Sequence, residues 1–515
     1  MTPPTIPLTV KPFDEQVVSL CAGCGCGCGY VLYREKGSIA DLYGHPADPK
    51  GMGSLCSKGI TYIQEITNNP LRLTGFYLNE KEPIALSEFE AFDLAKQKLK
   101  GKIAIILDRH LSSLEEYLLA RLIGDVFVDA PVLDFKPSNV FYNMWQDYKL
   151  IIAWEAEPVF SEVMSMRYIV DAVEKGSHLV CISSRYSTVC SKAKTKLLMD
   201  PFQQISFMKK ITQPEHEDPI ATALKKKLHL FRGLLLINTN LLSSTFRNSL
   251  LNVLTDLVKH YNIDYSFVGD LMSFPAMELE KFVEDFEKYD SFVFFGNPLI
   301  YIPEEIRQRI KNRFSIHFTL FPNLTSQYST LVVGASNYTE RDFIAYRNSF
   351  GRIYFCPQSV QKPKGVVVPY EFLSKLFDLE VKIEEFIKLD TSLEGTRVEL
   401  PSIEGRSFEE KQLPKGVVLH TANSLVEELG HWNPWTHSME KYQKAYMSKR
   451  TAESLGLRED KITIRGKEFE VIISPNIADG VVFIPSSFEE FQPFDPGHSV
   501  GSFCKHPFYR YEVLE

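Results

Sequence analysis

Short, wholly apolar runs alternate with helically spaced apolar positions over much of the chain. GKIAIILD, the LIIAW of DYKLIIAWEAEP and SHLVCISSR each read as a buried parallel strand, because both faces are apolar and turn residues bound each run. Between them, SSLEEYLLARLIG and FSEVMSMRYIVDAVEKG carry apolar residues at helical spacing. A Ser cap opens the first helix, and Gly176 closes the second in the left-handed conformation. The amphipathic stretch LSEFEAFDLAKQKLK precedes this series. After the polar stretch KKITQPEHEDP the rhythm restarts: FRGLLLINTN is a strand, FRNSLLNVLTDLVKHY a helix, and KYDSFVFFGNPL a strand ending in a turn. FSIHFTLF and STLVVGASN follow as further strands. This alternation predicts two doubly wound α/β domains.

The pattern changes twice more. QKPKGVVVP is loop-like, and the charged stretch from LEVKIEEF to KQLPKG has few strong apolar runs, so it is expected to cross between domains. Then GVVLHTANS, DKITIRG, FEVIISPN and DGVVFIPSS form short β-rich runs, with TAESLGL as a brief helix, and predict a β-barrel-like C-terminal domain. The expected division is 15–75 for a small N-terminal domain, 76–205 for the first α/β domain (which 350–390 could complete), 206–349 for the second, and 410–515 for the C-terminal domain.

With 515 residues the chain is too long for one core. A net charge of -8 without a basic block argues against nucleic acid as a partner. No eighteen-residue apolar window is present to span a membrane, and the residues before Cys21 show neither a secretory nor a twin-arginine pattern. The expected location is cytoplasmic, with any membrane attachment on the inner face and through partner subunits. Nine cysteines are too few for a disulfide scaffold. Cys181, Cys190, Cys356 and Cys504 are scattered and are expected to be ordinary buried thiols.

The other five cysteines carry the candidate chemistry. CAGCGCGCGY places Cys21, Cys24, Cys26 and Cys28 on one short loop, and Cys56 follows in GSLCSKG. Cys21, Cys24 and Cys28 with the distant Cys56 make a three-plus-one set suited to the corners of a [4Fe-4S] cube, since iron takes soft, anionic thiolates. The intervening glycines let backbone amides approach inorganic sulfur. Structural zinc prefers two CxxC pairs, and disulfides do not suit a reducing compartment. Cys26 is the surplus thiol: it either points away from the cube or replaces Cys24 or Cys28 as a ligand. Lys58, two residues after Cys56, offsets negative charge.

Cys21-x2-Cys24-x3-Cys28 followed by Cys56-Ser-Lys58-Gly, at the head of a multi-domain α/β chain, resembles the molybdopterin oxidoreductase superfamily. That group includes formate dehydrogenases, nitrate reductases and the large iron–sulfur subunit of respiratory complex I. The resemblance implies that the four cysteines bind one [4Fe-4S] cluster and that Lys58 lies between cluster and pterin. It implies cofactor contacts from Gly296 and Asn297, which resemble a Gly-x-Asn-Pro turn without its spacer, and from Glu340, Asn348, Gly351 and Arg352 in ASNYTERDFIAYRNSFGRIYF. It implies further contacts from His431, Trp432 and His437, and a pterin-dinucleotide-binding character for the last hundred residues, most recognisable in AESLGLREDKITIRG.

The departures matter as much. The interval VFVDAPVLDFKPSNVFYNMWQDYK has no cysteine to ligate molybdenum or tungsten, and Asp134 and Ser138 lack a supporting frame. The first Gly-x-Asn-Pro turn has become Glu155-Ala156-Glu157-Pro158, whose acids repel a pyrophosphate. The expectation is therefore an iron–sulfur electron-transfer subunit of a larger redox complex, similar to the complex I large subunit, with no catalytic residues and with iron–sulfur or flavin subunits as partners. One alternative is a catalytic enzyme such as a formate dehydrogenase, binding Mo or W through molybdopterin guanine dinucleotide; the other is an iron–sulfur subunit that only holds partners together.

Overall fold

The computed structural model describes residues 12–213, 217–410, 415–422, 444–457, 460–464, 466–485 and 511–514. His431, Trp432, His437 and Cys504 lie outside the described residues.

Five sheets organise the described chain. At the N-terminus, Glu15–Leu20, Gly29–Glu35 and Ser38–Gly44 form an antiparallel sheet in sequence order. The five-stranded sheet is all parallel, in the order Thr195–Leu198, His178–Ser183, Leu150–Trp154, Gly233–Asn238, Ile263–Val268. The eight-stranded sheet runs Met277–Glu278, Asp125–Val128, Ile103–Leu107, Ser291–Phe295, Phe314–Thr319, Leu331–Gly334, and ends in the antiparallel hairpin Phe76–Asn79 and Pro83–Leu86. A small sheet joins Phe343–Ala345, Arg352–Cys356 and Thr396–Arg397. The C-terminal, barrel-like unit is a six-stranded mixed sheet from Val418–Ala422 to Tyr511–Val513.

The apolar runs lie where their patterning demands. Ile103–Leu107, Leu150–Trp154 and Gly233–Asn238 are buried at every position, as central parallel strands with helices on both faces must be. Capping boxes begin the helices Glu88–Lys98 at Ser87 and Leu114–Ile123 at Ser113, and left-handed Gly176 follows the helix Ser165–Glu174.

Two expectations need correction. The α/β domains are not consecutive blocks 76–205 and 206–349: the eight-stranded sheet takes strands from 76–128 and 277–334, and the five-stranded sheet is inserted between them. Strand–helix rhythm reports each unit but carries no information about which strands pair. Cys181 and Cys190 are not separate thiols; they form a disulfide with Cα atoms 5.1 Å apart. The turn after strand His178–Ser183 folds back into the short helix Thr188–Lys192 and brings the two together.

Both α/β sheets are doubly wound, so each has a point where the connections reverse direction. Ligands in open α/β sheets bind at the carboxyl ends of the strands there. In the five-stranded sheet this point lies between Trp154 and Asn238; in the eight-stranded sheet it lies between Leu107 and Phe295.

Candidate metal centre

The cysteines converge because two backbone closures hold the loop that carries them. Cys21 follows the first strand, and its amide donates to the Cys28 carbonyl (2.8 Å), which draws residues 21–28 into a closed loop. Asp48 then ties in the second segment: one carboxylate oxygen accepts from the amides of Gly29 (2.9 Å) and Gly51 (2.6 Å). The chain then reaches Cys56, the N-cap of the helix Ser57–Asn68, whose Sγ accepts from the Gly59 amide at 3.4 Å. A helix N-terminus carries partial positive charge, so it favours an anionic sulfur. Lys58 lies close enough to Cys24 and Cys56 to ease their ionisation.

All five thiols share one environment. Cys21, Cys26 and Cys28 are buried, and Cys24 and Cys56 are half-buried. Burial, with Cys24 and Cys56 beside it, pushes the Cys21 thiol up to about 12. Contact with Cys26 lowers Cys28, but burial and the neighbouring thiols outweigh it, leaving Cys28 at about 11. Cys24, raised first by its hydrogen bond with Cys26, and Cys26, raised by burial, both sit well above the ordinary range. Thiols so reluctant to ionise in company need a cation to take them as thiolates, and a coordinated thiol loses its proton outright. Cys26 is not turned away from the others: it hydrogen-bonds with Cys24 and Cys28, and its Sγ lies 3.5 Å from the Tyr142 hydroxyl.

In kind, the donor set suits an iron–sulfur cluster, although no three His, Cys, Asp or Glu side chains among the described residues are arranged to hold a single metal ion. It offers soft sulfur from two separated segments, a helix N-terminus, a lysine, and a glycine loop whose Gly27 is left-handed at φ 63°. Beside Cys21 and Cys24, a cavity of about 10 Å³ is bounded by Arg109, Arg347, Asn348, Tyr354 and Cys356. Such a volume holds about one water.

Residues 14–68 match the molybdopterin oxidoreductase Fe4S4 domain, and this span contains all five thiols and Lys58. Among solved structures, the chain is similar to acetylene hydratase from Pelobacter acetylenicus, with a TM-score of 0.68, 12% identity, and coverage of 94% of this chain and 95% of that one. The fold is that of a molybdopterin oxidoreductase. No curated protein matches the chain in sequence.

In this molybdopterin oxidoreductase fold, the residues expected to contact a pterin are committed to the protein itself. Asn297 Oδ1 accepts from the Thr325 amide (3.2 Å) and hydroxyl (3.0 Å). Gly296 is left-handed, and its carbonyl accepts from Asn323 (3.2 Å) and His317 (2.5 Å). Glu340 pairs with Arg72 at 2.7 Å in the interior. Asn348 folds the following turn, accepting from the amides of Phe350 and Arg352 and donating to the Arg352 carbonyl. Gly351 is left-handed in that turn, and Arg352 donates to the carbonyls of Glu394 and Gly395. Only Asn348 reaches the cavity beside the cysteines. Asp134 pairs with Arg406 and Ser138 donates to the Val140 carbonyl, so neither faces the thiols.

Sequence patterning marks Glu155 as an acid misplaced for a pyrophosphate but misses Asp108 and the burial of both. Buried Glu155 ends the strand Leu150–Trp154 and accepts from Ser184 N (2.5 Å), Gln204 Nε2 (2.5 Å) and Ser183 Oγ (3.0 Å). Tyr511 also hydrogen-bonds with Glu155, and His420 stacks on Tyr511 and meets Ser184 Oγ at 2.9 Å. The C-terminal sheet therefore closes over this switch point. At the other, buried Asp108 accepts from the His110 and Leu111 amides beside Gly296. Glu162 is fully buried between these regions and the cysteine loop; it accepts from Tyr142 and from Gly269 N (3.1 Å), and burial raises it to about 7. In the sequence Glu162 is one acid in a helical pattern, and nothing there signals its burial.

Proposed function

We propose that this chain is an iron–sulfur electron-transfer subunit that binds no dinucleotide pterin. The observation that carries this reading is the pair of buried carboxylates, Glu155 and Asp108, at the two strand ends where a pyrophosphate would need amide donors. Like charges repel, and these acids have already taken the local donors. The residues do not fit a pterin, so no metal-centred chemistry is assigned.

A cluster held by these thiolates supplies one-electron transfer. Cys21, Cys24, Cys28 and Cys56 are the ligands favoured by spacing, with Cys26 as the internal competitor. The Ser57–Asn68 helix N-terminus and Lys58 offset the anionic charge of that ligand set, and the buried loop excludes water. Electrons would pass to or from other iron–sulfur or flavin subunits of a larger complex, as in the complex I-like arrangement. The alternative is a catalytic Mo or W enzyme, such as a formate dehydrogenase, and the coverage of an entire enzyme chain by this fold favours it. EPR of the reduced, anaerobically prepared protein tests the reading: one cubane signal is expected, lost or converted to a three-iron form in Cys56→Ala. A signal unchanged in that variant contradicts the ligand set.

A further inference from the structure

Beside Tyr142, whose hydroxyl meets Cys26 and donates its hydrogen to Glu162, two further buried tyrosines border the cysteine loop. Tyr338 is fully buried, and its hydroxyl lies 3.5 Å from Cys21 Sγ. Its ring stacks on Tyr62, which stands on the helix that Cys56 caps. A thiolate ligand can only accept, so the hydrogen in this contact belongs to the tyrosine.

Tyr354 approaches from the small sheet. Its ring is wedged between two glycines: a Cβ at Gly27 would lie 3.2 Å from Cε2, and one at Gly395 would lie 2.6 Å from Cδ1. Tyr354 is 1% exposed and borders the cavity shared with Cys21 and Cys24, and its hydroxyl has no partner among the described residues. Lys50 sits over the ring at 4.5 Å, so the ring face is occupied and the hydroxyl is the group left to bond. Asp48 also lies near it, but its Oδ2 already serves Gly29 and Gly51 and its Oδ1 faces Lys50 at 3.3 Å. Buried hydroxyls are rarely left unpaired.

We propose that Tyr338 and Tyr354 are positioning residues that donate hydrogen bonds to the sulfurs of the cluster and raise its reduction potential. This rests on the cluster-binding reading above. Donors to thiolate or sulfide stabilise the more negative, reduced state, and hydrogen bonds to sulfur are a recognised determinant of cluster potential. Tyr338 acts on the Cys21 corner, and Tyr354 acts on the side lined by the glycine loop.

The test is an EPR-monitored redox titration of full-length, anaerobically purified protein and its Y338F and Y354F variants, with Tyr117→Phe as control. Tyr117 donates to the Pro275 carbonyl, away from the cysteines. Each of the first two variants is expected to keep its iron and to make reduction about fivefold less favourable. At 59 mV per decade for one electron, that is a downward shift of about 40 mV; Y117F should not shift. Normal iron content with an unshifted potential in both variants overturns the proposal, and so does a Tyr354 paired only with Asp48, which would lower stability in Y354F without moving the potential. If a variant loses iron, ENDOR on the wild-type protein in D2O decides the matter: a strongly coupled exchangeable deuteron whose coupling changes with 3,5-difluorotyrosine labelling supports it, and an unchanged spectrum overturns it. Absence of any cluster in the wild-type protein is a different result and removes the electron-transfer reading itself.

Discussion

The two switch-point turns are built on one backbone plan and filled in opposite ways. After the strand Ser291–Phe295 comes left-handed Gly296 (φ 71°), then Asn297 at φ -131° and ψ 51°, then Pro298 at the start of a single helical turn. After Leu150–Trp154 comes left-handed Glu155 (φ 51°), then Ala156, then Glu157 at φ -131° and ψ 71°, then Pro158 at the start of another. The left-handed conformation is natural for glycine and strained for glutamate, at a cost on the order of 1 kcal/mol. Glu155 holds it because its carboxylate gathers Ser183, Ser184 and Gln204, and because the Asn238 side chain binds its carbonyl at 2.8 Å. The Glu155 turn is thus part of the core. The Gly296 turn keeps the glycine, but Asn297 serves Thr325 and Asp108 presses against Gly296.

Exchanging the residues breaks the comparison most sharply. In Gly296→Glu a Cβ would lie 2.6 Å from Asp108 Oδ2, and a second carboxylate would join the first. A loss of about 4 kcal/mol is expected in denaturant unfolding, from strain, overlap and like charge together. A loss under 1 kcal/mol would mean that the two turns are interchangeable. Removing the plug in Glu155→Ala takes the acceptor from Ser184 N, Ser183 Oγ, Gln204 Nε2 and Tyr511 and should cost about 3 kcal/mol by the same measurement.

The two sides should also respond oppositely to pH. Glu162, in the segment that follows the Glu155 turn, is raised by burial from 4.5 to about 7. Its contribution is full below about pH 4.5 and is lost as pH rises through 7. His317, which holds the Gly296 carbonyl, is lowered by burial from 6.5 to about 4. Its contribution is full above about pH 6.5 and is lost as pH falls toward 4. Each is worth roughly 3 kcal/mol over its window. Stability measured against pH should flatten on the alkaline side in Glu162→Gln and on the acidic side in His317→Gln. The smallest effect belongs to Asn297→Ala, about 1 kcal/mol, from the lost acceptor for Thr325.

What was legible in the sequence depended on whether the signal was local. The thiol loop was readable because four cysteines and their glycines are adjacent, and the strands were readable because patterning alone marks a buried run. The interleaving of the two sheets was not, because strand order is set by pairing between distant segments such as Ile103–Leu107 and Ser291–Phe295. Cys181 and Cys190 looked unrelated until a turn brought them together. In the sequence Glu155 is only an acid in the wrong place for a pyrophosphate; that it is a structural plug follows from Gln204, which is remote in sequence. Tyr338 and Tyr354 lie in the very segment singled out for Glu340, Asn348 and Arg352, but their value comes from facing Cys21 and Gly27 across the fold.

The central claim is that the thiols hold an iron–sulfur cluster while the switch points hold side chains in place of a pterin. Elemental analysis for iron, sulfide, molybdenum and tungsten, with pterin extraction, on one anaerobic sample of the full chain tests it most directly. The account predicts about four irons and four sulfides per chain, with no molybdenum, tungsten or pterin. One molybdenum or tungsten with bound pterin, or zinc in place of iron, would contradict it.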